Sequence, residues 1–243
     1  MIRRFLCLIF AVSILLGCTK PKPVKGESPE RKPKTLTYLA LGDSYTIGES
    51  VDPSLRWPTQ LVNLLRANEV AVEDAVIIAK TGWTTDELDR AIDEASPGSD
   101  FDLVTLLIGV NNQYRGMDSS EYRSEFNTLL QRAIGFAKGD ASRVVVVSIP
   151  DWGVTPFAAE RDRGEIAREI DEFNAINREE AESSGAAWVD VTNFSRQAGE
   201  HSAMSAEDGL HPSGMQYSEW ARLILPAARS AIELRSMTRG AVS

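Results

Sequence analysis

Cysteine and histidine are scarce in this chain, with two of each among 243 residues. Cys7 and Cys18 both lie at the N-terminus, so the body can hold neither a disulfide framework nor a cysteine-ligated metal. If a histidine acts as a base, the choice is His201 or His211. The longest apolar run, Phe5 to Leu16, is 12 residues, well short of the ~20 that span a bilayer. No His-Glu-x-x-His and no phosphate loop are present, and no pair of carboxylates stands out as a glycosidase dyad. Basic charge is short as well: from residue 36 onward 18 basic side chains face 33 acidic ones. That balance argues against nucleic acid, whose binding rests on neutralised phosphates.

The N-terminus reads as an address. Met1-Ile2-Arg3-Arg4 precedes the apolar run, and Leu15-Leu16-Gly17-Cys18 closes it. A basic start and a short apolar core fit a secretory signal, which is excluded from fold reasoning. The ending resembles a bacterial lipobox. By that resemblance residues 1–17 are removed and Cys18 is acylated, anchoring an otherwise soluble protein to the cell envelope. An ordinary cleaved signal or an uncleaved anchor is the alternative. Thr19 is not an aspartate, which points to the outer membrane if the organism has one. Residues 18–35 carry Pro21, Pro23, Pro29 and Pro33 among many charges, the composition of an extended tether.

From residue 36 to about 236 apolar runs alternate with helical periodicity, and residues 237–243 form a tail. The expected strands are Leu36–Leu41, the Val76–Ile78 end of Val70–Ala79, Phe101–Ile108, Val144–Ile149 and Ala186–Val191. Thr84 with Glu87, and Asp118 with Glu121, read as capping boxes that open helices. Residues 192–207 read as irregular, and Pro226 is expected to kink or split the last helix. Five strands alternating with helices predict an α/β fold, a parallel sheet of about five strands in a three-layer α/β/α sandwich. Sites in such sheets form beyond the carboxyl ends of the strands.

Past those ends lie Ser44, Gly82, Gly109 with Asn111, Asp151, and Asp208 with His211. A serine nucleophile needs an imidazole to take its proton, a carboxylate to orient the imidazole, and donors for the oxyanion. Each residue also has an ordinary alternative. Gly42-Asp43-Ser44 and Asp208-Gly209 are turn chemistry, Gly82 could be structural, and Asn111 could cap a turn. His201 reads as an exposed loop residue, and Arg115, Arg161 and Arg163 as solvated charges. Asp151 and Trp152 could line a cleft or close a loop. The Gly-x-Ser-x-Gly elbow is absent at Ser44, since Thr46 takes the last position.

Four blocks in order resemble the SGNH, or GDSL-type, hydrolase family: Gly42-Asp43-Ser44-Tyr45, Gly82, Gly109-Val110-Asn111-Asn112 and Asp208-Gly209-Leu210-His211-Pro212. The resemblance implies a flavodoxin-like sandwich and a serine esterase with Ser44 as nucleophile, His211 as base and Asp208 behind it. It implies an oxyanion hole of the Ser44 and Gly82 backbone N–H groups and the Asn111 amide, with no metal or cofactor. Tyr45 and Asn112 depart from the family's leucine and aspartate. The expected substrate is a small-molecule or lipid ester, and the expected state a monomer. Transfer or removal of acetyl groups on envelope glycans is an enzymatic alternative, and a catalytically silent binding lipoprotein is one of another class. Specificity is expected in loops 110–118, 151–164 and 193–207.

Overall fold

The computed structural model describes residues 35–199 and 201–240, with side chains to Glu233. The signal, Cys18, the tether up to residue 34 and the end of the tail fall outside the described residues.

The chain forms β1 (Tyr38–Gly42), α1 (Ser44–Ile47), α2 (Trp57–Ala67), β2 (Val76–Ala79), α3 (Thr85–Ala95), β3 (Leu103–Leu107), α4 (Val110–Tyr114) and α5 (Ser119–Phe136). It continues through β4 (Val144–Val147), α6 (Arg163–Ser184), β5 (Ala187–Val189), α7 (Thr192–Ala198) and α8 (Gly214–Gly240). All neighbouring strands pair in parallel, in the order β2-β1-β3-β4-β5. The expected five-strand α/β fold is present. Every residue of β1, β3 and β4 is buried, as a parallel sheet covered on both faces requires. α2 packs on α8, while α3, α5 and α6 pack together as the second helical layer. Large rings fill each layer: Trp57, Tyr217 and Trp220 in one, and Tyr122 stacked 4.4 Å from Phe173 in the other. Each such buried side chain contributes about 1.5–3 kcal/mol.

Strand order reverses at β1, whose chain neighbours in the sheet are β2 on one side and β3 on the other. Gly42 is in register with Ala79 and Leu107, so three strands stop at one level and their loops converge. Gly42 is required by packing there: a Cβ would lie 2.2 Å from Thr46 Oγ1 and 2.5 Å from the Leu107 carbonyl.

Three expectations change. Residues 192–207 are not wholly irregular, since α7 occupies part of them; Asp190 Oδ1 accepts the Thr192 and Asn193 N–H groups, and the Ser148 hydroxyl, just past β4, accepts those of Val191 and Thr192. Gly109-Val110-Asn111-Asn112 leads directly into the helix α4 rather than a loop. Pro226 does not split α8, which runs from Gly214 to Gly240; with Ile224 and Ala228 buried against the sheet, tertiary packing outweighs the lost backbone bond.

Candidate active site

The first block is a strand end that becomes a helix start. Asp43 is the N-cap of α1, and its Oδ1 accepts the Tyr45 N–H at 3.0 Å. This fixes Ser44 as the first residue of that turn. Asp43, 0% exposed, has no partner for its other oxygen among the described residues. Burial pushes its carboxyl up to about 7, against the opposing pull of backbone N–H groups. Tyr45 fills the space under the site, 5.6 Å from the His211 ring and 6.1 Å from Trp220. Burial, then the nearby Asp43, Asp151 and Asp208, keep its phenol protonated.

The last block closes over the first. Asp208 Oδ2 lies 2.6 Å from His211 Nδ1, and Oδ1 accepts the Leu210 and His211 N–H groups at 2.9 and 3.0 Å. The Ala206 N–H bonds the His211 carbonyl at 2.7 Å, which locks the turn. Burial raises the Asp208 carboxyl, but the Ser50 hydroxyl, His211 and the two N–H groups together hold it well below the usual carboxylate range. Asp208 is therefore ionised and His211 Nδ1–H donates to it. Nε2 is the nitrogen left for chemistry. His211 is 7% exposed, whereas His201 is exposed and outside the site.

Between these blocks stand Gly82 and Asn111. Gly82 has φ +88°, a left-handed conformation suited to glycine. Arg115 donates to the Gly82 carbonyl at 2.6 Å, and the Asn111 amide donates to the Trp83 carbonyl at 2.9 Å. α4 thus grips the Gly82–Trp83 turn with two side chains. Asn111 has a second N–H with no partner among the described residues. Arg115, expected as a solvated charge, instead links this turn to Glu87 at 3.3 Å. Asn112 exchanges two bonds with Thr85, one to its N–H at 3.1 Å and one to its hydroxyl at 2.6 Å. Its departure from the family's residue is a structural pin on the start of α3.

Ser44, Gly82, Asn111 and His211 line one cavity of about 190 Å³. Its apolar wall includes Tyr114, Trp152 and Phe157, three rings with centroids 5.3 to 6.3 Å apart. Tyr114 is 48% and Phe157 46% exposed. Asp151 and Trp152 divide the two roles left open by the sequence. Asp151 is buried, caps the Gly153 N–H and pairs with Arg196 at 2.8 Å; Trp152 is the wall, its indole N–H donating to Gln113 at 2.8 Å. Of the three segments expected to carry specificity, 110–118, which begins with α4, and 151–164 supply wall residues. Loop 193–207 supplies none, because α7 turns it toward Asp151 instead. The sequence carried no signal for Ser50, whose hydroxyl reaches Asp208. Tyr114, the last residue of α4, and Phe157 lie in segments of ordinary composition.

A model of the GDSL-like lipase/acylhydrolase family matches residues 40–217. No curated protein matches the sequence. Among solved structures, TesA aligns with a TM-score of 0.61 at 20% identity, over 80% of this chain and 99% of its own. Axe2, an acetylxylan esterase from Geobacillus stearothermophilus, aligns at 0.62 and 21% identity, over 79% and 94%. LAE5, an alpha/beta hydrolase enzyme from the metagenome of Lake Arreo, aligns at 0.63 and 20% identity, over 81% and 96%. At these identities the three are similar to this chain in fold.

Proposed function

Since the chain belongs to the GDSL-like lipase/acylhydrolase family and is a carboxylic ester hydrolase, we propose that it works through an acyl-enzyme formed on Ser44. His211 Nε2 takes the hydroxyl proton as Oγ attacks the ester carbonyl. Asp208 stabilises the imidazolium. The Ser44 and Gly82 N–H groups and the free N–H of Asn111 receive the oxyanion. The imidazolium then gives its proton to the leaving alcohol, the C–O bond breaks, and water repeats the sequence to release the acid. The observation that carries this reading is the single cavity lined by Ser44, Gly82, Asn111 and His211, with Asp208 2.6 Å behind the imidazole.

The cavity also supports a substrate class. A site of about 190 Å³ is of the size that takes a benzene-sized group, for which ~150 Å³ suffices. With three rings in its wall, it suits a short or aromatic acyl group rather than a long chain. Removal of acetyl groups from a glycan is a second reading. The half-exposed Tyr114 and Phe157 rings at the wall favour it, as flat faces on which a sugar can lie, and the structurally similar Axe2 is an acetylxylan esterase. The basic start, short apolar run and Leu-Leu-Gly-Cys ending support an envelope lipoprotein anchored through Cys18; incorporation of labelled palmitate, lost in Cys18→Ser, tests that.

The experiment for the chemistry is covalent labelling by a fluorophosphonate, followed by peptide mapping. The adduct is expected on Ser44 and absent in Ser44→Ala. Undiminished labelling or turnover in Ser44→Ala overturns the reading. An unlabelled but intact protein would favour the silent binding lipoprotein.

A further inference from the structure

We propose that Ser50 is a positioning residue of the reaction, its hydroxyl holding the Asp208 carboxylate in the plane that steers His211. This rests on the reading above that His211 is the base and Asp208 its partner.

The two oxygens of Asp208 are held in different ways. Oδ1 is bound by the N–H groups of Leu210 and His211, contacts within its own turn of the kind any Asx turn makes. Oδ2 is the oxygen that His211 Nδ1 meets at 2.6 Å, and it also accepts the Ser50 hydroxyl at 2.6 Å from 158 residues away. The two N–H groups restrain the carboxylate only from within its own turn, so the carboxylate moves whenever that turn moves. A donor from a separate segment on the working oxygen ties it to the rest of the domain. Burial pushes the Asp208 carboxyl up, and the Ser50 hydroxyl leads the contacts that pull it down.

The segment that delivers Ser50 is the one that carries the nucleophile. α1 starts at Ser44 and is closed by Gly48 as its left-handed C-cap, and Ser50 itself has φ +63°. A serine with this backbone accepts strain that glycine would relieve, while its side chain is placed on Asp208. Between them, Glu49 accepts the Thr81 hydroxyl, beside Gly82. Residues 48–50 thereby connect the nucleophile's helix to both the acid–imidazole pair and the oxyanion turn.

The discriminating variant is Ser50→Gly, which removes the hydroxyl and relieves the positive φ. A residue needed only for structure would leave the pH profile alone. The expected result is a thermal midpoint equal to or above wild type, an unchanged KM for a short aryl ester, and a kcat lower by about ten- to a hundredfold, in line with loss of orientation. The acid limb of the kcat profile should move to higher pH, because Asp208, without the competing donor, places more negative charge on the imidazole. Ser50→Asn, which tolerates the left-handed backbone and offers a donor, should restore part of the rate. A Ser50→Gly enzyme with wild-type kcat and an unmoved acid limb, while His211→Ala is inactive, overturns the role of Ser50 alone. Full turnover in His211→Ala overturns the reading of the base, and Ser50 with it.

Discussion

Arg115 holds the Gly82 carbonyl at 2.6 Å from the end of a neighbouring helix. The peptide it grips belongs to the turn whose Gly82 N–H we propose meets the oxyanion. Arg115→Ala should lower kcat by about fivefold, the equivalent of one hydrogen bond of about 1 kcal/mol. KM for a short ester should hardly change. Steady-state kinetics separate the two, and a rise in KM with unchanged kcat would instead mean that Arg115 meets the substrate.

Asn111 and Asn112 are neighbours with opposite duties. Asn111→Ala should cost about a hundred- to a thousandfold in kcat, as loss of an oxyanion donor does. Asn112→Ala removes two buried hydrogen bonds to Thr85 and should lower stability by about 2 kcal/mol with little change in kcat per folded molecule. Urea unfolding paired with kinetics on both variants checks the split.

Asp208→Asn leaves the size of the side chain but removes the charge that orients the Nδ1–H. The expected fall in kcat is about 10⁴-fold. Because Asp208 is held below its ordinary range, its contribution to stability is present above the unfolded carboxylate range, near pH ~4. It is lost as pH falls toward its depressed folded value. Thermal melts of wild type and Asp208→Asn should converge on acidification below that range.

Asp43 has the opposite sign. Its folded value is raised from 3.8 to about 7, so between those limits the folded state holds a proton that the unfolded state has released. Stability falls as pH rises through that window, and the penalty is complete above it. Asp43→Asn keeps an acceptor for the Tyr45 N–H and cannot ionise. Its stability should exceed that of wild type more at pH 8 than at pH 5. Parallel curves for the two proteins would exclude a buried ionisation at this position.

Phe157 is half exposed, so Phe157→Ala should be nearly neutral for stability while opening the cavity wall. The chain-length optimum in a series of p-nitrophenyl esters should move to longer acyl groups. An unmoved optimum would place the acyl group away from the three rings.

The sheet was legible because its signals are local. Val144–Val147 and the run around Leu103–Leu107 are apolar on both faces, and Thr84 with Glu87 caps α3 within one turn. The blocks carrying Ser44, Gly82 and Asn111 stand out for a related reason, since each follows the end of a strand; the block of Asp208 and His211 lies well past β5 and was marked only by its resemblance to the family's Asp-x-x-His block. What could not be read are contacts whose partner is distant in the chain. Ser148 helps to start α7 from 43 residues away, beside the local Asp190 carboxylate, and no sequence pattern marks the distant part of that start. Arg115 looked like a solvated charge because its acceptor is a backbone carbonyl, which no sequence pattern marks. Asp43, on sequence alone, could support its loop or shape the site; its bond from the Tyr45 N–H makes it the N-cap of α1.

The Ser50–Asp208 bond spans 158 residues, and it joins the first turn of the domain to the loop that runs into its final helix. Contacts of such separation are slow to form because the intervening loop must close first. Ester cleavage would therefore report docking of the two ends of the domain, and not recovery of the sheet alone.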